Sequence, residues 1–102
     1  MVHVLAVIKT KPGMRDKVLA AFNDNVPAVH AEDGCIEYGA AVDVEKGGPA
    51  QTKMSEDTFV VIEKWASMQA LGAHAKSEHM AAYAAKVKDM LEDRTIHILE
   101  SA

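Results

Sequence analysis

The chain has one cysteine, Cys35, among 102 residues. No internal disulfide can brace it, and a reducing, cytoplasmic setting is expected. Long apolar runs are missing too. The apolar opening Val2–Ile8 is stopped by Lys9; it is too short for the core of a secretory signal, and nothing approaches the ~20 apolar residues of a membrane span. Lysine and arginine number 11 against 15 aspartates and glutamates, a formal net charge of −4, and they are scattered. Nucleic-acid binding needs clustered positive charge, so nucleic acid is not an expected partner. No glycine-rich loop for a dinucleotide or a phosphate is present either, since Gly47-Gly48 lies in a polar connection and reads as a turn.

What is there is the balance of a folded globular chain, 49% hydrophobic and 25% charged. Residues 1–102 make a single domain by length. A domain this small buries only about 60–70% of the surface its unfolded chain exposes, so association is a natural way to gain core.

Val2–Thr10 is short, apolar and rich in β-branched residues, and it ends at Lys11-Pro12-Gly13. It reads as a strand running into a turn. The period then changes: Met14, Val18, Phe22, Val26 and Val29 recur at steps of four and three, lining one face of a helix. Pro27 falls inside this pattern and, with no amide to donate, is expected to kink or loosen the last turn. Alternation returns over Cys35–Val44, with Ile36, Tyr38, Ala40, Val42 and Val44 on one face of a second strand. Glu45–Asp57 is polar, contains Gly47-Gly48-Pro49, and is expected to be mobile or to lean on a partner subunit.

Thr58–Trp65 makes the third strand, Phe59, Val61, Glu63 and Trp65 on one face and Val60, Ile62 and Lys64 on the other. Ser67 is placed to cap a short helix through Ala73, and Ser77 a longer one whose stripe is Met80, Tyr83, Ala84, Val87 and Leu91. Arg94–Glu100 completes a fourth strand, with Ile96 and Ile98 opposite in face to His97 and Leu99. The order β-α-β-β-α-β is the ferredoxin-like α+β plan. Its helices cover one sheet face only. Strands one and three are nevertheless apolar on both faces (Leu5 and Val7 behind Val4, Ala6 and Ile8; Val60 and Ile62 behind Phe59 and Val61). At ~25 cal/mol per Å2, leaving such a face wet forgoes several kcal/mol, and a homodimer related by a two-fold axis would cover it.

Among chemical candidates, Cys35 reads as a small buried hydrophobe. His74 and Glu78-His79 approach the zinc pattern H-x-x-E-H, but the spacing is one residue too long. Five steps along one helix rotate a side chain by ~140°, off the face a zinc pair shares, so no metal is expected. His3, His30 and His97 read as structural. Glu63 stands between Phe59 and Trp65 on a packed face, where a carboxylate needs a partner or a raised pKa. Trp65, Met80 and Tyr83 read as core or as pocket wall.

The segments K-T-K-P-G at 9–13, E-D-G-C at 32–35, V-I-E-K-W at 61–65 and A-H-A-K-S-E-H-M-A-A-Y at 73–83 stand in an order and spacing that resemble antibiotic-biosynthesis monooxygenase domains. The resemblance covers Val2 to Leu99 and implies a dimeric α+β barrel. It also implies oxidation of a quinol or polyphenolic aromatic by O2 without flavin, haem or metal. His74 and His79 match family positions near a pocket between helices and sheet. A related branch degrades haem through an Asn on the first strand; Val2–Thr10 has none. A phenol titrates near 10 and a free histidine near 6.5, so proton transfer to histidine is uphill by about 5 kcal/mol. The resemblance therefore points to His74 and His79 as base and anion-stabilising donor, with Trp65, Glu63, Tyr83, Met80 and Phe59 around the substrate. The reading from a different class is a non-catalytic dimer that binds quinones or haem-like ligands in the same slot.

Overall fold

Local periodicity sets the boundaries of most elements. In the computed structural model, which describes residues 1–102, strand β1 covers Val2–Thr10. Its side chains Val4, Ala6, Ile8 and Thr10 are buried, while Leu5 and Lys9 face outward. The turn after it uses Gly13 at φ 77°, a backbone conformation that costs glycine nothing. Helix α1 covers Arg15–His30 and buries Val18, Ala21, Phe22 and Val29. Met14 and Val26 are half-buried beside that row. Pro27 does not end the helix, which runs on to His30; the Ala31 N–H donates to the Pro27 carbonyl at 3.2 Å. The proline lacks only its own amide bond one turn back.

Strand β2 covers Cys35–Ala41, stopping three residues before the expected Val44. Val42 and Val44 lie exposed beyond the pairing. The expected face of β2 needs a second correction. A register shift between Cys35 and Glu37 leaves Ile36 unpaired and 52% exposed, while Cys35 pairs with Trp65 and Tyr38 with Glu63. One extra residue reverses the alternation, so Cys35 and Tyr38 share the inner face and Ile36 does not.

Strand β3, Thr58–Trp65, buries Phe59, Val61, Glu63 and Trp65. Two helices follow, α2 at Met68–Ala75 and α3 at Glu78–Val87. Each is capped as its serine foretells: Ser67 Oγ accepts from the Ala70 N–H, and Ser77 Oγ from the Met80 N–H. A 3-10 turn over Lys88–Met90 leads into β4, Leu91–Leu99, which starts three residues earlier than expected. The sheet order is β2-β3-β1-β4, every neighbour antiparallel. The element order β-α-β-β-α-α-β is ferredoxin-like α+β, its second helical segment broken at Lys76-Ser77.

The core lies between the inner sheet face and the helices, centred on Phe22, Phe59, Trp65 and Val87. Phe22 stacks on Tyr38 with centroids 5.1 Å apart and meets Phe59 and Tyr83 edge-on at 6.1 and 6.0 Å. On the outer face Leu5 pairs with Ile62 and Val7 with Val60, leaving Leu5 and Ile62 38% and 39% exposed. No helix is long and apolar enough to cross a membrane.

Candidate functional site

A cavity of about 330 Å3 opens between α3 and the sheet, and 11 of its 14 lining residues are hydrophobic, which makes it an apolar slot. One wall is the α3 row Met80, Tyr83, Ala84 and Val87, four of the five residues of the stripe expected from the sequence; the fifth, Leu91, lies past the end of the helix and opens β4. Ala6, Ile8 and Val61 floor it, and the exposed Lys88 and Arg94 stand at its rim. Glu63 is the one acidic group on its lining, and it is buried.

The alternation of β3 points Glu63 inward, and its carboxylate Oε1 accepts the Trp65 Nε1–H at 2.9 Å. Burial pushes the Glu63 carboxyl above the ordinary carboxylate range; the Trp65 hydrogen bond and His74 pull it back, while Glu32 adds to the rise. Burial also raises both phenols on the lining, Tyr83 up to about 12 and Tyr38 well above its ordinary value. Neither tyrosine is a proton acceptor near neutrality.

Behind Glu63 stands His74, on the last turn of α2. Its ring lies 4.6 Å from the Trp65 ring and 5.3 Å from that of Tyr38, centroid to centroid, which holds it in one orientation. His74 Nε2 is 3.9 Å from Glu63 Oε1, and Nδ1 is 2.8 Å from Glu32 Oε2. The same Glu32 oxygen is 2.9 Å from His79 Nε2. A carboxylate offers only acceptors, so both imidazoles donate N–H to it. Ser77 ties the corner together, donating to the His74 carbonyl at 2.8 Å and lying 3.3 Å from His79 Nε2.

This arrangement overturns the assumption that His74 and His79 diverge along one helix. The chain breaks between them, so each imidazole sits on its own helix and both reach one carboxylate. Glu32, which arrives from the loop after α1, is the residue the sequence reading missed. Gly34 permits the approach. It takes φ +80°, and a Cβ there would lie 2.6 Å from the Ala70 Cβ, so only glycine lets this loop rest on α2. The Gly34 carbonyl also accepts the Ala66 N–H at 2.8 Å.

Glu32, His74 and His79 are a donor set that a divalent ion could use, their ligand atoms lying within 4.8 Å of one another. Their spacing is that of hydrogen bonds. Two ligands at 2.0–2.1 Å on a tetrahedral zinc ion sit about 3.3 Å apart, whereas here each imidazole nitrogen is 2.8 or 2.9 Å from the carboxylate oxygen. A bound ion would have to open the triad.

Of the residues singled out from the sequence, Glu63, Met80 and Tyr83 line the cavity. Phe59 and Trp65 are fully buried beneath it and are not on its wall. His74 and His79 are also off the wall: His74 lies behind Glu63, and His79 borders a separate shallow depression beside Asn25. Tyr38, Lys88 and Arg94 are additions. Tyr38 was legible as an apolar strand residue, while the two cations carried no signal, since nothing local brings them to a cavity.

Fold and site together define a small ferredoxin-like domain with an apolar cavity that carries a buried acid backed by imidazoles. Residues 1–86 match the family model described as antibiotic biosynthesis monooxygenase. Over 102 residues the chain is 40% identical to the probable quinol monooxygenase YgiN of Escherichia coli strain K12, covering 98% of this chain and 97% of that one. A crystal structure of an antibiotic biosynthesis monooxygenase superposes with a TM-score of 0.82 at 25% identity, over 100% of this chain and 99% of the other. PA3566 from Pseudomonas aeruginosa shares the fold, with a TM-score of 0.82 at 23% identity over 99% and 93% of the two chains. The chain belongs to the antibiotic biosynthesis monooxygenase family.

Proposed function

We propose that the protein oxidises a quinol or polyphenolic aromatic with O2 in the cavity between α3 and the sheet, using no flavin, haem or metal. The observation that carries this reading is the buried, ionisable Glu63 carboxyl on a mostly apolar cavity lining whose other charges, Lys88 and Arg94, are exposed. The cavity, about 330 Å3, is at the small end of ligand pockets and suits a compact aromatic of one or two rings. The name of the E. coli relative adds support.

The chemistry asks for little beyond deprotonation. A quinolate is electron-rich enough to reduce O2 itself. For a hydroquinone the balance closes as quinol plus O2 giving hydroxyquinone plus water: one oxygen atom enters the ring, the other leaves as water, and the quinol supplies all four electrons. The protein has to seat the ring, take the phenolic proton and tolerate the anion. A carboxylate of ordinary pKa is a poor final acceptor, about 8 kcal/mol uphill from a phenol; an imidazole is about 5 uphill, and water at pH 7 about 4. Raising the Glu63 pKa narrows the gap; His74, which pulls that pKa back, serves instead as the next acceptor for the proton. In this scheme Glu63 touches the ring hydroxyl, and His74 and His79 act behind it rather than on the ring. Met80 and Tyr83 hold the ring; Phe59 and Trp65 support the floor from beneath.

We place a second copy of the chain on the outer sheet face, where Leu5, Val7, Val60 and Ile62 form an apolar patch. The non-catalytic alternative, a dimer that only sequesters aromatics, uses the same cavity. Oxygen uptake by dialysed, chelator-treated protein separates the two. Consumption above the autoxidation of a quinol panel is the expected result, and rates equal to that background across the panel overturn the enzymatic reading.

A further inference from the structure

We propose that Glu63, His74, Glu32 and His79 form one proton path from the cavity floor to solvent, in which His74 is the relay and His79 the outlet. This rests on the reading that the cavity takes a phenolic ligand, and it adds where the proton goes.

Four acid and imidazole groups alternate along a single line. Glu63 to His74 is 3.9 Å, His74 to Glu32 is 2.8 Å, and Glu32 to His79 is 2.9 Å. Side-chain exposure runs from 10% and 5% at Glu63 and His74 to 14% at Glu32 and 30% at His79. The line therefore has a dry end at the cavity and a wet end on α3. Glu63 Oε1 is occupied by the Trp65 N–H and faces His74, so Oε2 is left for a ligand. With its Nδ1–H given to Glu32, neutral His74 presents a lone pair at Nε2 toward Glu63. Closing that gap by about 1 Å makes it a hydrogen bond.

The step balances without any further reactant. The phenolic proton passes to Glu63 and the electron pair stays on the phenolate oxygen. The protonated carboxyl turns over to bring that oxygen to His74 and hands the proton to Nε2, and the imidazolium so formed lies between two carboxylates. His74 then passes its Nδ1 proton to Glu32, and His79, once its own proton has moved through water from Nε2 to Nδ1, accepts that proton at Nε2 and releases the Nδ1 proton to water. Other titratable groups face the relay from the elements packed around it: Tyr38 and Cys35 from β2, with both of their pKa values raised by burial first, so neither competes for the proton. His79 needs no contact with the ligand to act. A structural role alone would need only the Glu32 anchor.

The test uses two readouts on the full chain. In the first, 4-nitrophenol, a monophenol that O2 does not oxidise and whose acidity is close to that of an imidazolium, is bound while the imidazole nitrogens are followed by NMR. Binding at pH 7 is expected to move His74 toward imidazolium in the wild type, and not in Glu63→Gln. In the second, quinol turnover is compared in wild type, His79→Ala and His79→Gln. Both variants are expected to lose at least tenfold in rate, and millimolar imidazole is expected to restore His79→Ala. Unchanged His74 signals on binding, or wild-type turnover in both His79 variants, overturns the path. A rate lost in His79→Ala that imidazole leaves lost while the variant keeps its fold also overturns it, because the residue is then structural. If wild type consumes no oxygen yet His74 is protonated on binding, the enzymatic reading fails and the path stands. Oxygen uptake with a silent His74 gives the reverse.

Discussion

Glu63 is held where its own ionisation is opposed. Its neighbours on β3 are Phe59, Val61 and Trp65, no Lys or Arg lies within ion-pair distance of it, and the ionisable group nearest its Oε1 is His74, behind the cavity wall at 3.9 Å. Its folded pKa is raised, so the sign of the linkage is the reverse of the usual carboxylate. The stability is complete below the unfolded carboxyl pKa and is lost as pH rises through the raised folded value. Glu63→Gln keeps an oxygen for the Trp65 N–H and removes the ionisation. Urea midpoints measured from pH 4 to 8 are expected to fall across the upper carboxyl range in the wild type. The variant is expected to lie flat and above it at pH 7. The same variant is expected to lose oxygen uptake. A parallel fall in both proteins refutes the assignment of that pH dependence to Glu63. Its conflict with its surroundings was visible in the sequence, because β-alternation alone puts an acid between two large aromatics. His74 was legible only as a candidate; that it sits behind the acid, not on the ligand, depends on contacts with Trp65 and Tyr38.

At the scale of elements, the decisive feature is the break between α2 and α3. The two serine caps that make it were readable, since Ser67 and Ser77 each precede a helical run. Its consequence for His74 and His79 was not, because a rotation angle applies only within one continuous helix. The loop after α1 answers that break with Glu32, and Gly34 sets how close it comes. Gly34→Ala forces a side chain into φ +80° and against the Ala70 Cβ. The backbone penalty is roughly 1–2 kcal/mol and overpacking adds about 1–3. A loss of about 2–5 kcal/mol in urea unfolding is therefore expected. Adding Ala70→Gly should recover the packing share and leave the backbone share. A Gly34→Ala protein as stable as wild type would mean the loop does not rest on α2. At the far end of the 42–57 connection, Asp57 is an anchor: its carbonyl accepts the Thr10 N–H at 2.8 Å and its Oδ1 the Gly13 N–H at 3.0 Å. It holds the turn after β1 to the start of β3.

For the whole molecule, the question is what covers the second sheet face. A single layer of helices protects one side. The other presents Leu5 against Ile62 and Val7 against Val60 at the centre of the sheet. Burying a Leu or Ile side chain is worth about 1.5–3 kcal/mol, so a few such pairs facing their symmetry mates outweigh much of the cost of association. Sedimentation equilibrium at micromolar concentration is expected to give twice the 11.0 kDa chain mass. Ile62→Lys, which puts a charge at the centre of the patch, is expected to shift it to the single chain with the cavity intact. A wild-type protein that sediments only as the single chain rules the dimer out.

The amino-acid sequence by itself determined the elements, their order, the inner faces of β1 and β3 and the stripe of α3. These follow from periods of 2 and 3.6 residues, which are properties of a local stretch of backbone. It also placed an acid on the packed face beside the only tryptophan, while its burial and its partner were left to the tertiary structure. Three further things were left to the tertiary structure. The bulge in β2 chose Tyr38 and Cys35 over Ile36 for the core, because pairing with β3, not the pattern of β2, sets the register. The cavity rim gained Lys88 and Arg94 from the packing of the α3 end against β4. Glu32 joined His74 and His79 across 42 and 47 residues of chain. A hydrogen bond over that separation leaves no periodic trace in the sequence, since it exists only once the loop after α1 and the broken helices are packed on the same sheet.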